Sequence, residues 1–287
     1  GERLFVQSVT GSLLCLKTDT GVVVWQHDIL KDAGNKIPDY GMSTSPLIEG
    51  DLVLVITGAK GACAAAYHKL SGQRVWTSGD DRGALGSPVA LTVAGQRQVV
   101  FFTWTRLWGA QATDGKELWR MDWPSDEGHL TTPLVMGDHL FVVSYTLKGG
   151  ALLRLTGPTK PTVVWTNEGP KSALRGCWTC PVANDRFLYG IGGHSITSLN
   201  CVELETGKLV WKRERFGQAM VTLADGHLFL ATADGELVVA PATPRGYQEK
   251  GRIKLLGKDS YATPAIADKR LYLRDQDHVL CLDLADR

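Results

Sequence analysis

The groups in this 287-residue chain that could do chemistry are seven histidines, six cysteines and a scatter of acidic and aromatic residues. The histidines stand at 27, 68, 129, 139, 194, 227 and 278, and none falls in a His-Glu-x-x-His zinc pattern. Glycine-rich phosphate loops, Gly-x-Ser-x-Gly elbows and calcium loops are also absent. Cys177 and Cys180 form a lone C-x-x-C around Trp178 and Thr179. A zinc site would need a second pair or histidines at ligand spacing, and a thioredoxin-like site a βαβ context, so a structural role is the simpler reading. Asp39, Asp80, Asp81, Asp126, Glu127 and Asp259 could do acid–base work only if their surroundings separated their pKa values. As neighbours of turns they read as solvated loop charges.

The elements that must position these groups come from a repeat. Gly-x-x-x-Trp recurs as Gly21 to Trp25, Gly72 to Trp76, Gly115 to Trp119 and Gly207 to Trp211. Pro161 to Trp165 loses the glycine, and Gly251 to Leu255 loses the tryptophan. The resulting positions, 25, 76, 119, 165, 211 and 255, are 43 to 51 residues apart, a period that marks a solenoid or propeller. Each unit reads as four short strands. A hydroxyl or small residue and proline open the first, as at Ser45-Pro46, Ser87-Pro88, Thr132-Pro133, Cys180-Pro181 and Thr263-Pro264. Proline cannot donate to a ladder, so this strand belongs at a sheet edge.

A polar turn leads to a β-branched and aromatic second strand, at 52–56, 99–103, 140–144, 187–190, 228–231 and 271–273. A third strand runs into the glycine turn, and the fourth carries the tryptophan. One fixed offset points that ring to the same face in every copy, so Trp25, Trp76, Trp119, Trp165 and Trp211 are expected to pack between sheets. Cys15, Cys201 and Cys281 share one repeat position and read as small core residues. Equivalent positions lie on separate sheets roughly 10 Å apart, too far for a bridge.

The fold class that follows is all-β, a β-propeller of four-stranded antiparallel blades with seven units visible. The first unit opens without its inner strand and the last stops without its outer one. The expectation is therefore a single domain over 1–287, truncated at its N-terminus and seven- or eight-bladed when intact. Tyr40, Arg82, His129, Arg175, Trp178 and Tyr261 all lie a few residues upstream of a first strand, so the repeat register is expected to gather them at the channel mouth as a binding face. Trp104, Trp108 and Trp123 are further aromatics outside the repeat position.

Charge and hydropathy narrow the partners. Thirty-one basic and 30 acidic residues leave a net charge of +1, which gives no broad attraction to nucleic acid or anionic lipid. No apolar run reaches the length of a transmembrane helix. The chain opens at Gly1 with no basic and apolar leader, so any targeting peptide or lipid anchor is expected to lie outside it.

The Ser/Thr-Pro strand, the Thr206-Gly207-Lys208-Leu209-Val210-Trp211 ending and the Leu199-Asn200-Cys201-Val202-Glu203 lead-in resemble the PQQ-like repeat, or quinoprotein-like, β-propellers, over essentially the whole chain. The family includes the lipoprotein of the outer-membrane β-barrel assembly machine and the quinoprotein alcohol dehydrogenases. The resemblance implies a periplasmic or secreted location and a monomeric, non-catalytic scaffold that offers a loop face to a protein or polymer. It also implies two alternatives, a PQQ-dependent dehydrogenase using calcium and a glycan-binding or glycan-cleaving propeller. No family ligand for PQQ or calcium can be placed residue by residue. No cofactor is therefore expected, and no catalytic, cofactor-binding or metal residue is assigned.

Overall fold

The computed structural model describes residues 1–144, 149–168, 172–175, 178–193 and 195–285; Cys177 and His194 lie outside that set. Within it the chain forms seven antiparallel sheets in sequence order, each a meander. The sequential sheets are the blades of a β-propeller. The chain divides into two compact units, one of residues 1–148 and 153–163, the other of 149–152 and 164–287.

The first unit opens with three strands, β1 (Arg3–Gln7), β2 (Ser12–Lys17) and β3 (Val23–Asp28), and a one-turn helix, α1 (Ile29–Ala33), capped by Asp28. The second sheet is β4 (Leu47–Glu49), β5 (Leu52–Ala59), β6 (Ala62–His68) and β7 (Arg74–Ser78). The third is β8 (Val89–Val93), β9 (Gln96–Phe102), β10 (Arg106–Gln111) and β11 (Glu117–Asp122). The boundary between the units falls within the fourth, β12 (Leu134–Met136), β13 (His139–Val143), β14 (Gly150–Arg154) and β15 (Thr162–Asn167).

In the second unit the fifth sheet is β16 (Val182–Asn184), β17 (Phe187–Gly192), β18 (Ser198–Glu203) and β19 (Leu209–Glu214). The sixth is β20 (Ala219–Ala224), β21 (His227–Thr232), β22 (Glu236–Pro241) and β23 (Gly251–Lys254). The last has three strands, β24 (Ala265–Ala267), β25 (Arg270–Arg274) and β26 (Val279–Asp283). As expected, the proline-led strand is an edge of its sheet and the tryptophan strand the opposite edge.

Core lies between consecutive sheets, which explains why middle strands such as β5 and β6 are buried almost end to end. Leu13, Ile29, Val53 and Tyr67 join the first sheet to the second, and Leu54, Trp76, Val99 and Trp108 join the second to the third. In the other unit, Tyr189, Cys201, Leu230 and Val238 join the fifth to the sixth.

The recurrent glycine and tryptophan turn out to be two halves of one joint. A Cβ on Gly72 would lie 2.9 Å from the Trp25 ring, one on Gly115 2.5 Å from Trp76, and one on Gly207 2.7 Å from Trp165. Each indole thus lies on the turn glycine of the following sheet, a position that also demands φ near +70°. The ring nitrogen finishes the joint. Trp25 Nε1 donates to Lys69 O (3.1 Å), Trp76 to Ala112 O (3.2 Å) and Trp165 to Leu204 O (2.7 Å), each three residues before that glycine. In the first, second, third and fifth sheets the residue opposite the tryptophan is small, Cys15, Ala66, Gly109 and Cys201 respectively, and a bulge follows it.

Irregular copies solve the joint differently. Where Pro161 replaces the glycine, Trp119 Nε1 donates to Gln98 Oε1 (2.8 Å), and Gln98 Nε2 passes the link to Gly157 O (3.1 Å). Trp211, on the fifth sheet, donates to Thr243 O just after β22 of the sixth (2.8 Å). Gly251, aligned with the turn glycines by spacing, instead begins the extended strand β23, because the preceding connection is longer. Cys15 and Cys201 are wholly buried free thiols, as expected, whereas Cys281 is exposed on β26, the edge strand of its sheet.

The hydroxyl of the Ser/Thr-Pro pair also has a task. Ser45 N donates to Ser87 Oγ (2.8 Å) and Ser87 N to Thr132 Oγ1 (3.0 Å), stitching three consecutive first strands together.

Candidate functional site

The connections that precede the first strands hold the candidate site residues. In the first unit the long segment from α1 to β4 carries Tyr40, and the loop between β7 and β8 carries Arg82. Both line a cleft of about 300 Å³ together with Lys36, Asp39 and Trp104. Asp81 fixes the Arg82 loop. Its carboxylate accepts from Thr103 Oγ1 (2.7 Å), Thr105 N (2.8 Å), Thr105 Oγ1 (2.9 Å) and Arg82 N (2.9 Å), so it is spent on positioning. Behind the loop, a Cβ on Gly58 would lie 2.5 Å from Gly83 N, so bare backbone is needed for the two segments to meet.

Held this way, the Arg82 guanidinium lies 3.7 Å from the centre of the Trp104 ring, a cation–π contact. Trp104 N donates to Arg82 O (3.0 Å), and the indole packs on Gly128. Neighbouring Asp80 pairs with Arg106, which holds its carboxyl below the usual carboxylate range. Tyr40 is 73% exposed at the rim.

In the second unit Trp178 (49% exposed) meets Tyr261 (47%) edge to face, with ring centres 5.9 Å apart. Arg175 is half-buried and its carbonyl accepts from Gly193 N (3.0 Å).

His129 departs from the expected face. It is fully buried, stacked on Phe102 at 3.6 Å and 8°, with Nε2 against Trp123 O (2.8 Å). Burial pushes its pKa down to about 4, so it is a neutral core residue. Trp108 and Trp123 are likewise buried, which leaves Trp104, of these three tryptophans, to line the cleft.

Other histidines have local partners: His27 with Asp32 and Gly72 O, His68 with Ser71, His139 with Asp138, His227 with Asp225 O and His278 with Asp275. Backbone amides of Gly257, Asp277 and His278 hold the Asp275 carboxyl down at about 2. Among the described residues no three His, Cys, Asp or Glu side chains gather where a metal could be held.

Sequence spacing brings Tyr40 and Arg82 to one loop cluster and Trp178 and Tyr261 to another. It misses Trp104 as the platform for Arg82, and the Gly58–Gly83 contact, for which no periodic signal exists.

Comparison with known proteins fits this geometry. No curated protein matches the sequence. Among solved structures, BamB from Moraxella catarrhalis is similar over 98% of this chain and 79% of its own, at 19% identity and a TM-score of 0.71. The computationally designed Ika8 protein is similar over 99% and 81%, at 13% identity and a TM-score of 0.68. The quinohemoprotein alcohol dehydrogenase ADHIIG from Pseudomonas putida HK5 is similar over 95% of this chain and 60% of its own, at 11% identity and a TM-score of 0.65. At such identities the likeness is one of fold, and a designed chain shares it with an enzyme.

The family described as outer membrane protein assembly factor BamB matches at residues 1–172 and again, in an overlapping register, at 63–214. By that match the chain belongs to this family of PQQ-repeat propellers.

Proposed function

We propose that this chain is a non-catalytic protein-binding scaffold of the outer-membrane assembly type, working as a monomer in the periplasm or outside the cell. It meets its partner through the loops in front of the first strands. The observation that carries the reading is that these loops expose Tyr40, Arg82, Trp178 and Tyr261 while the repeat tryptophans are spent on packing. Aromatic residues and arginine are the types that dominate binding energy in protein interfaces. The near-neutral net charge and the family's role in outer membrane protein assembly support a protein partner over a polyanion. Among the described residues no helix is long and apolar enough to cross a membrane.

Affinity purification of the wild type and of Trp178→Ala from the envelope of the source organism tests the reading. Replacing one exposed anchor is expected to weaken capture of the partner by about thirtyfold, about 2 kcal/mol. Calcium-dependent, stoichiometric binding of PQQ in a calorimetric titration would overturn it in favour of the dehydrogenase alternative.

A further inference from the structure

We infer that the cleft holding Arg82 is a carboxylate-binding site, and that its occupant is an acidic side chain on an extended segment of a partner protein. The inference rests on the scaffold reading and deepens it.

Three of the chain's arginines show what a satisfied guanidinium looks like here. Arg97 grips Glu49 with two bonds of 2.8 and 2.6 Å, Arg120 grips Glu117 with 2.6 and 2.8 Å, and Arg252 grips Glu249 with 3.1 and 3.0 Å. Such forks use the donor pairs that fit a carboxylate. Arg82 has no fork. Among the described residues its guanidinium has one hydrogen-bond partner, Asp39 Oδ2 at 3.4 Å, near the limit of a useful bond. Both side chains are open to water, 52% exposed for Arg82 and 87% for Asp39.

Arg82 is nevertheless held in place. Contact with the Trp104 ring at 3.7 Å holds the guanidinium over the indole, Asp81 fixes the backbone amide of the same residue, and the Gly58–Gly83 contact fixes the loop from behind. A cation that is preorganised yet under-bonded favours a ligand able to supply the missing fork. Asp39 shows that a carboxylate can reach the position, and its long single contact leaves it easy to displace. Among the charged lining residues, Lys36 and Arg82 outweigh Asp39, so the cleft complements a negative group.

The rim decides between a small acid and a peptide. Ile37 (56% exposed) and Tyr40 border the cleft. A free small carboxylate would leave both uncovered, whereas apolar residues flanking an acidic one would cover them. The volume is at the low end for a ligand pocket and is sized for a few side chains of an inserted segment.

The test is a titration of the whole chain with the end-blocked tripeptide Phe-Glu-Leu, followed by NMR on the Arg82 side-chain Nε–H and the Trp104 indole N–H. Saturable shifts of both signals are expected with Phe-Glu-Leu, with affinity falling about tenfold or more for Phe-Gln-Leu and for Arg82→Gln. Asp39→Asn removes the internal competitor and is expected to tighten binding severalfold, an outcome that does not depend on Arg82→Gln folding. Acetate is the small-acid arm. If acetate binds as well as the tripeptide, the assignment to a peptide is overturned. If neither moves the two signals, or if Asp39→Asn has no effect or weakens binding, the carboxylate site is overturned. Capture of the partner, sensitive to Trp178→Ala, in the same protein that ignores the tripeptide would leave the scaffold reading standing and this inference refuted. Tripeptide binding with no partner captured would leave the carboxylate site standing and refute the scaffold reading, together with a partner protein as the occupant.

Discussion

Four glycines occupy the same turn with nearly the same backbone, φ of +68°, +73°, +72° and +67° at Gly21, Gly72, Gly115 and Gly207. Three of them lie under a tryptophan, and Gly21 has nothing within 4 Å of an added Cβ. Alanine at each position therefore separates the backbone cost from the packing cost. Forcing alanine to positive φ costs about 1 kcal/mol, and this is the whole expected loss for Gly21→Ala. At Gly115 the new methyl would sit 2.5 Å from Trp76 Cε3, and that indole is buried and bonded to Ala112 O. Overpacking of this kind adds about 1 to 3 kcal/mol, so Gly115→Ala is expected to cost about 3 kcal/mol. Gly207→Ala and Gly72→Ala, with approaches of 2.7 and 2.9 Å to less buried rings, should fall between. Urea unfolding followed by tryptophan fluorescence gives the four midpoints on one scale. Equal losses at all four sites, or a larger loss at Gly21 than at Gly115, would refute the claim that the turn glycine is the seat of the preceding sheet's indole.

Further outcomes follow from other contacts. Gln98→Leu deletes the relay between Trp119 and Gly157, leaving a buried indole N–H and a carbonyl without partners, at an expected cost of about 3 kcal/mol in the same unfolding assay. His129 binds its proton more weakly folded, at about 4, than unfolded, at about 6.5, so its contribution is intact above the unfolded value and is lost as pH falls toward 4. The loss over that window is at most about 3 kcal/mol, and His129→Leu should flatten that part of the stability–pH curve. Asp81→Ala removes four hydrogen bonds that position the Arg82 loop and should abolish the response of the Arg82 Nε–H signal to Phe-Glu-Leu, read with stability by circular dichroism.

Legibility from sequence follows periodicity. Strand order, the edge place of the proline strand and the inter-sheet place of Trp76 all follow from one repeat, because a fixed offset on a period-two strand fixes the face. The glycine under the indole reads in sequence only as a turn former, since a contact to the preceding unit leaves no trace in local propensity. Gly251 misaligns because a longer connection precedes β23, and spacing alone cannot distinguish a turn glycine from one that starts a strand. The loop residues are least legible. Position upstream of a first strand says that Arg82 lies in a loop but not that it lines a cleft, and it groups His129 with it although Phe102 and Trp123 draw that ring into the core. Which side of a loop a residue faces depends on contacts such as Asp81 to Thr105, made across 24 residues of sequence.

The central claim is that this propeller binds a protein through the loops in front of its first strands. Photo-crosslinking tests it most directly, with a benzophenone amino acid at Tyr40, at Trp178 or at Asp225, which lies in the exposed turn at the other end of β20. The account predicts that, in cells of the source organism, Tyr40 and Trp178 each cross-link to a discrete protein partner and Asp225 does not. Cross-linking from Asp225 alone, or from none of the three, would contradict it.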